Sequence, residues 1–230
     1  MARIEPSTDF PGAMATTVNA APFGAFPVKS GAFVEIYVAQ RRDSKKIAAQ
    51  ILFWQAAARN EGNPKKLDSA ELGVLAVRRW QEGIAKRRVC ESIADVRDRI
   101  QDNPHVECSL LLLARAAKSD GGILGLAHLR RTWCNHILLD YLAVHPNFVG
   151  YAENPYAGLG TGLLYFVVDI ARGIEAPVIW GETTQNSVQY YSKLFGLKMK
   201  DLLYVKQTVY RGFQERIRRI WESANEVETK

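Results

Sequence analysis

Cysteine is scarce and scattered: only Cys90, Cys108 and Cys134 occur among 230 residues. An odd number with no CxxC or Cys/His ligand spacing argues against both a disulfide framework and a structural zinc site. Cys108 and Cys134 fall in apolar, strand-like segments and are expected to be small buried hydrophobes, not reactive thiols. Long hydrophobic runs are missing as well. No stretch approaches the roughly 18 consecutive apolar residues of a membrane span, and the N-terminus lacks the basic start and apolar stretch of a secretory signal. A soluble, cytoplasmic protein is expected. Charge of one sign is only mildly in excess, 30 Lys+Arg against 24 Asp+Glu for a net +6. Basic clusters at Arg41 to Lys46, Arg78 to Arg88 and Lys206 to Arg219 suit a solvated surface or an anionic partner such as a phosphate-bearing ligand or RNA. No internal repeat is present.

What the sequence does contain is core material: 47% of its residues are hydrophobic, enough for one generous domain. Residues 1–30, rich in Pro, Gly, Ala, Ser and Thr without periodicity, are expected to form a flexible arm. Residues 31–105 open with an alternating strand, Gly31 to Ala39. A helix follows from Asp43, carrying Ile47, Ile51, Leu52 and Trp54, until Asn60, Gly62 and Pro64 stop it. A second helix is expected from Asp68 or Ser69, with Ser69 and Glu71 as its cap and Leu72, Leu75, Ala76, Trp80 and Ile84 as its stripe. A short third spans Ser92 to Ile100. Core is the default place for Phe53, Trp54, Trp80 and Trp133.

After Pro104 the pattern alternates. Strands are expected over Val106 to Ala117, Ile123 to Arg131 and His136 to Val144, with a hairpin turn at Asp120 and the two glycines behind it. A loop from His145 to Ala157 leads to an apolar helix ending near Gly173, then a strand (Pro177 to Glu182), a helix (Ser187 to Phe195) and a strand (Lys198 to Val205). A basic amphipathic helix from about Thr208 closes the chain. Such an order is a mixed α/β sheet flanked by helices, with 106–206 as its core, an extra helical N-terminal region, and 207–230 as C-terminal helix and tail.

The segment NPYAGLGTGLL, Asn154 to Leu164, is the most informative. Gly158 and Gly160 directly precede a long apolar helix, so main-chain N–H groups and the positive helix end can cradle a phosphate without a basic side chain. A Walker A loop is excluded because Gly-Lys-Ser/Thr is absent. A dinucleotide fingerprint fails because Leu163 holds its third glycine position and a long loop separates the motif from the preceding strand.

The succession LLDYLAVHPNF, GLGTGLL, PVIWGETT and NSVQYYSKLFGLK resembles the GNAT superfamily of N-acetyltransferases over about 70 residues closely and 100 loosely. In that family the loop reads Q/R-x-x-G-x-G/A. Gly158 and Gly160 match the small positions and Thr161 the helix start, while Pro155 replaces the usual Gln or Arg and removes one side-chain contact to the pyrophosphate. The resemblance implies acetyl-CoA as co-substrate and no metal. It implies binding by Leu142, Ala143 and Val144 along the pantetheine arm, by Gly158, Leu159, Gly160, Thr161 and Gly162 at the pyrophosphate, and by Asn186 at a pantetheine amide. An exposed N–H near Val144 would polarise the thioester carbonyl. Tyr191 would be the general acid, with Tyr190 as the register alternative. Glu182 is the first candidate for the base, with Asp140 and His128 behind it.

The expected activity is direct transfer of an acetyl group to an amine, the acceptor being a small molecule, a protein amino group or an aminoacyl-tRNA; a homodimer is left open. Two other readings stand beside it. One is a non-catalytic CoA-binding or interaction module. The other is a nucleic-acid-directed protein of this fold.

Overall fold

The alternating segments pair into one seven-stranded sheet in the computed structural model, which describes residues 21–117, 122–149 and 154–228. In chain order the elements are β1 (Gly24–Pro27), β2 (Phe33–Val38), α1 (Ser44–Glu61), α2 (Pro64–Ala85), α3 (Ile93–Asp102), β3 (Cys108–Ala116), β4 (Gly125–Arg131) and β5 (Ile137–Val144). They continue as α4 (Leu159–Gly173), β6 (Val178–Glu182), α5 (Val188–Phe195), β7 (Leu202–Lys206) and α6 (Gln207–Glu228). Strand order in the sheet follows chain order, and every neighbouring pair is antiparallel except β5 and β6. Parallel pairing needs a crossover, and α4 supplies it. The mixed α/β class expected from the sequence is the one observed.

Alternation sends each strand's side chains to two different helical layers. Leu111, Leu113 and Leu126 bury against Ile47, Ile51, Val77 and Trp80 of α1 and α2. Leu110, Leu112, Ala127 and Leu139 bury against Leu163, Val167 and Phe213 of α4 and α6. β3 is therefore buried on both faces. Among the large aromatics Trp54 and Trp80 are core, whereas Phe53 and Trp133 are exposed, as are Leu52 and Leu75 of the expected stripes. Cys108 is buried as expected; Cys134 is exposed, because it lies in the turn between β4 and β5 and not in a strand.

Two boundaries differ from expectation. The arm placed at residues 1–30 contains β1, which pairs with β2 and buries Phe26 over Gly162; residues 1–20 lie outside the described residues, as does most of the turn at Asp120. Short Gly- and Pro-containing strands lack an alternation long enough to read. The second helix starts at Pro64, not at Asp68 or Ser69. Asn63 caps it, accepting from the N–H groups of Lys65 and Lys66, and proline occupies the first turn, where its missing N–H costs nothing.

The join of β5 and β6 positions the site. Their ladder comprises Ile137 with Ile179 and Leu138 with Trp180. On its other side β5 pairs with β4 up to Val144, but the register shifts between His128 and Leu129, so Asp140 is an extra residue. A bulge of this kind bends and twists its strand. The ladder to β6 ends at Leu138 whereas β5 runs on to Val144, which leaves a gap beside the outer half of β5. At the narrow end Gly181 lies so close to the Leu139 carbonyl that a Cβ there would overlap a backbone oxygen, which cannot swing aside. Gly181→Ala is accordingly expected to lower unfolding free energy by about 1–3 kcal/mol, the usual cost of overpacking. Urea unfolding measures this; a loss within error would mean that the two strands separate freely.

Candidate active site

The gap is lined by main chain on its β5 side. Val144 faces Gly125, and the adjoining bond runs from the His145 N–H to the Leu124 carbonyl, so Val144 belongs to a non-hydrogen-bonded pair. Its N–H and C=O therefore point away from β4, and those of Leu142, two residues earlier, point the same way. Ala143 alternates: its main chain faces the β4 ladder and its side chain is buried under α2, so neither points into the gap where the sequence placed it. Val144 differs from expectation too. Ser69 Oγ, from α2, accepts from the Val144 N–H at 3.2 Å and donates to its carbonyl at 2.7 Å, so the N–H assigned to the thioester is already engaged. Leu142 presents the group that the sequence reading placed at Val144.

The α4 N-terminus closes one end of the gap. Gly158 holds a left-handed conformation (φ 98°) that favours glycine, and the helix starts at Leu159. The Leu159 N–H donates to the Tyr156 carbonyl and that of Gly162 to the Gly158 carbonyl, so neither is offered to a ligand. Both residues pack instead, Leu159 in the core and Gly162 beneath the Phe26 ring. The N–H groups of Gly160 and Thr161 are the first-turn donors that helix geometry leaves without an intrahelical acceptor. The loop leading in is braced: Asn154 donates to the Phe148 carbonyl at 2.6 Å and accepts from the Tyr156 N–H at 2.8 Å, and Ser30 donates to the Pro155 carbonyl at 2.8 Å.

Two adjacent tyrosines on α5 take different roles. The Tyr190 hydroxyl lies 3.3 Å from Thr161 Oγ1, and a Cβ on Gly160 would lie 3.3 Å from that hydroxyl and 4.0 Å from Val144. Tyr190 therefore stands where α4 meets the gap. Burial pushes its pKa up to about 12, with the Thr161 contact opposing. Tyr191, the residue expected to be the acid, is 6% exposed and belongs to the core with Phe195; burial pushes its phenol up as well.

Glu182 ends β6 with an exposed side chain, on the wall of the gap opposite β5. Asn186 is exposed just before α5; its Nδ2 donates to Asp68 Oδ2 on α2 at 2.7 Å. Asp140 receives two hydrogen bonds from Arg130, both 2.7 Å, and lies 2.9 Å from His128 Nδ1. Burial alone would raise its carboxyl, but His128 and Arg130 outweigh burial and hold it below the usual carboxylate range. His128 is fully buried; burial lowers its pKa against the pull of Asp140. Its approach to Asp140 is short but poorly angled for donation, so the contact is chiefly electrostatic. Among the described residues no cluster of three or more His, Cys, Asp or Glu side chains could hold a metal, and no helix is long and apolar enough to cross a membrane.

No protein-family model and no curated protein matches the sequence. Solved structures do. One is a GNAT-family acetyltransferase from Staphylococcus aureus, 16% identical, with 76% of this chain and 99% of that one covered and a TM-score of 0.45. Another is a GNAT-family acetyltransferase from Brucella melitensis in complex with acetyl-CoA, 15% identical, covering 77% and 97% with a TM-score of 0.38. A third, nourseothricin acetyltransferase, is 20% identical over 37% of this chain, with a TM-score of 0.31, and the match spans about half of its length, 48%.

Ser69 carried no chemical signal in the sequence beyond its resemblance to a helix cap. Its partner is 75 residues away, and only the packing of α2 across β5 brings the two together.

Proposed function

We propose that this chain is an acyl-CoA-dependent N-acyltransferase, with acetyl-CoA as donor and an amine as acceptor. The observation that carries this reading is the divergence of β5 from β6 after Leu138, which turns strand main chain into a gap ending at the α4 N-terminus. A long, thin ligand with amides in its middle and a pyrophosphate at one end fits that arrangement. The Gly160 and Thr161 N–H groups and the positive helix end meet the phosphates, and the Leu142 main chain pairs with the amide arm. The sequence resemblance to GNAT enzymes leads to the same ligand.

Transfer is direct. The acceptor nitrogen attacks the thioester carbon, the C–N bond forms, and the carbonyl oxygen gathers charge that the Leu142 N–H stabilises. The C–S bond then breaks, the departing sulfur takes its proton from the Tyr190 hydroxyl, and the tyrosinate is reprotonated through solvent by the second proton that the newly acylated nitrogen sheds. A phenol with a pKa of about 12 remains protonated at neutral pH and gives up its proton only as the thiolate forms. The attacking amine must first lose a proton, and Glu182 is the base we assign. Asp140 is a poorer choice because Arg130 already holds its carboxylate.

Two observations favour a second reading, CoA binding without turnover: Ser69 occupies the Val144 main chain, and Asn186, just before α5, is bonded to Asp68 of α2. Calorimetry with acetyl-CoA and free CoA, followed by thiol release in an amine screen, separates the two. Micromolar binding with thiol release supports the enzyme. Binding without release under any amine favours the module, and no binding of either ligand sinks both readings.

A further inference from the structure

Alternation gives β6 and β7 a second face. Ile179 of β6 and Leu203 and Val205 of β7 bury in the layer of α4, α5 and α6, so Trp180, Glu182, Leu202 and Tyr204 point to the opposite side of the sheet. Leu138 of β5, the ladder partner of Trp180, points the same way, since its neighbours Ile137 and Leu139 lie in the α4 layer. On this side α2 packs over β3, β4 and β5, whereas the helices that pack on β6 and β7 are α4, α5 and α6 of the other layer. The β6–β7 half of the face is left without a helix.

That uncovered half is apolar. Leu202 and Tyr204 are each 47% exposed, and Leu138 and Trp180 are half-buried beside them. Trp180 lies opposite Tyr204, and Glu182 opposite Leu202. Directly opposed side chains start only about 5 Å apart, so the group is contiguous. A contiguous apolar patch rimmed by polar groups marks a place of contact.

Charge narrows the occupant. Glu182 is exposed at one end of the patch and has no cation or hydrogen-bond donor among the described residues. Lys206 stands at the other end, across from Val178. The two nearest carboxylates are already engaged, Asp140 by Arg130 and Asp68 by Asn186. One available carboxylate suits one ammonium group, and the lysine at the far end repels a second. The body between them must be apolar.

The face also stands in the right relation to the gap. Tyr190 reaches Thr161 from the α4 layer, which fills that side of the sheet. A thioester carbonyl is flat, and a nitrogen attacks it from one side or the other. The open side is the one that carries Trp180, Glu182 and Tyr204.

Resting on the transferase reading above, we infer that the acceptor is an arylalkylamine, its ring lying on Trp180, Leu202 and Tyr204 and its nitrogen meeting Glu182. The strand sets the length of the link. Glu182 and Trp180 are two residues apart, about 7 Å, which an aromatic ring and a chain of about two carbons span.

The test uses the whole chain labelled with ¹⁵N-tryptophan, the Trp180 indole resonance being identified by its loss in Trp180→Phe. Phenethylamine, propylamine and spermidine are titrated in turn with free CoA present, which reads binding without transfer. Thiol release from acetyl-CoA is then measured with each amine. Phenethylamine is expected to shift the Trp180 resonance, and the other two to bind at least ~10-fold more weakly for want of the ring. Tyr204→Ala and Leu202→Ser, both at exposed positions, are each expected to raise the KM for phenethylamine by ~5- to 10-fold. Acetyl-CoA affinity within about twofold of the parent shows that both variants are folded. Phenethylamine bound no better than spermidine, or indifferent to both substitutions, would overturn the inference and leave the transferase standing. Self-association that these substitutions abolish would overturn it as well, by giving the face to a second copy of the chain. Phenethylamine binding at Trp180 with no thiol release would sink the transferase reading, and the acceptor role with it.

Discussion

Gly160→Glu is expected to weaken acetyl-CoA by at least ~100-fold, about 2.8 kcal/mol, while leaving the protein folded. Gly160 is the second residue of α4, and its N–H is one of the donors that the helix cannot use itself. A carboxylate in the first turn of a helix is favourable to the helix, by about 0.3–1 kcal/mol, because it meets the positive end of the dipole. The same property makes it a direct competitor of a pyrophosphate, since both are anions seeking that helix end. The new side chain would also start 3.3 Å from the Tyr190 hydroxyl and crowd the mouth of the gap. Gly160→Ala adds only the Cβ at that same distance and no charge, so it is expected to cost far less. Calorimetry reads the affinities, and thermal unfolding shows whether the variant is folded. Acetyl-CoA binding within about threefold of the parent, roughly 0.7 kcal/mol, would place the phosphates elsewhere.

The contrast between α4 and α2 explains how much of this was legible in the sequence. The α4 start declared itself locally, because Gly158 and Gly160 before an apolar stripe are a backbone instruction that needs no distant partner. The strands β3, β4 and β5 were equally plain, since alternation and its loss report burial directly. Ser69 was misread because Ser followed closely by Glu is also a cap signal, yet Asn63 and Pro64 made the stronger helix start five residues earlier. Once α2 began there, Ser69 lay inside the helix, and its hydroxyl was turned toward β5. That contact depends on how a helix lies across a sheet. No local pattern encodes it.

Asp140 illustrates a different limit. The sequence offers it as a carboxylate in an apolar strand, which reads equally well as a base or as one half of an ion pair. The bulge at this residue decides, because it brings the carboxylate against Arg130 and His128 on β4. Bulges are set by the pairing of two strands, so a single strand's sequence does not announce one. The bulge lies two residues beyond the last β6 pair, so the residue that reads least like structure sits where the gap begins.

The two tyrosines set the sharpest functional test. Consecutive helical residues point about 100° apart at 3.6 residues per turn, so Tyr190 and Tyr191 cannot both face α4, and the sequence does not say which does. In the structure Tyr190 reaches Thr161 while Tyr191 packs with Phe195 in the core. Tyr190→Phe keeps the ring and removes only the hydroxyl. It is expected to lower kcat by about 10²–10³, within the usual range for general acid catalysis, with acetyl-CoA affinity changed less than about twofold. Tyr191→Phe is expected to leave kcat close to the parent value. A merely structural role for Tyr190 would move stability and leave the kcat loss the same for every acyl donor. An acid role predicts rescue when the donor's leaving group needs no protonation, as with an acyl donor whose thiol has a low pKa. Steady-state kinetics of both variants with acetyl-CoA and with such a donor would decide. If Tyr191→Phe alone abolished turnover, the acid would be the core tyrosine after all, and α5 would have to rotate during the reaction to bring it to the sulfur.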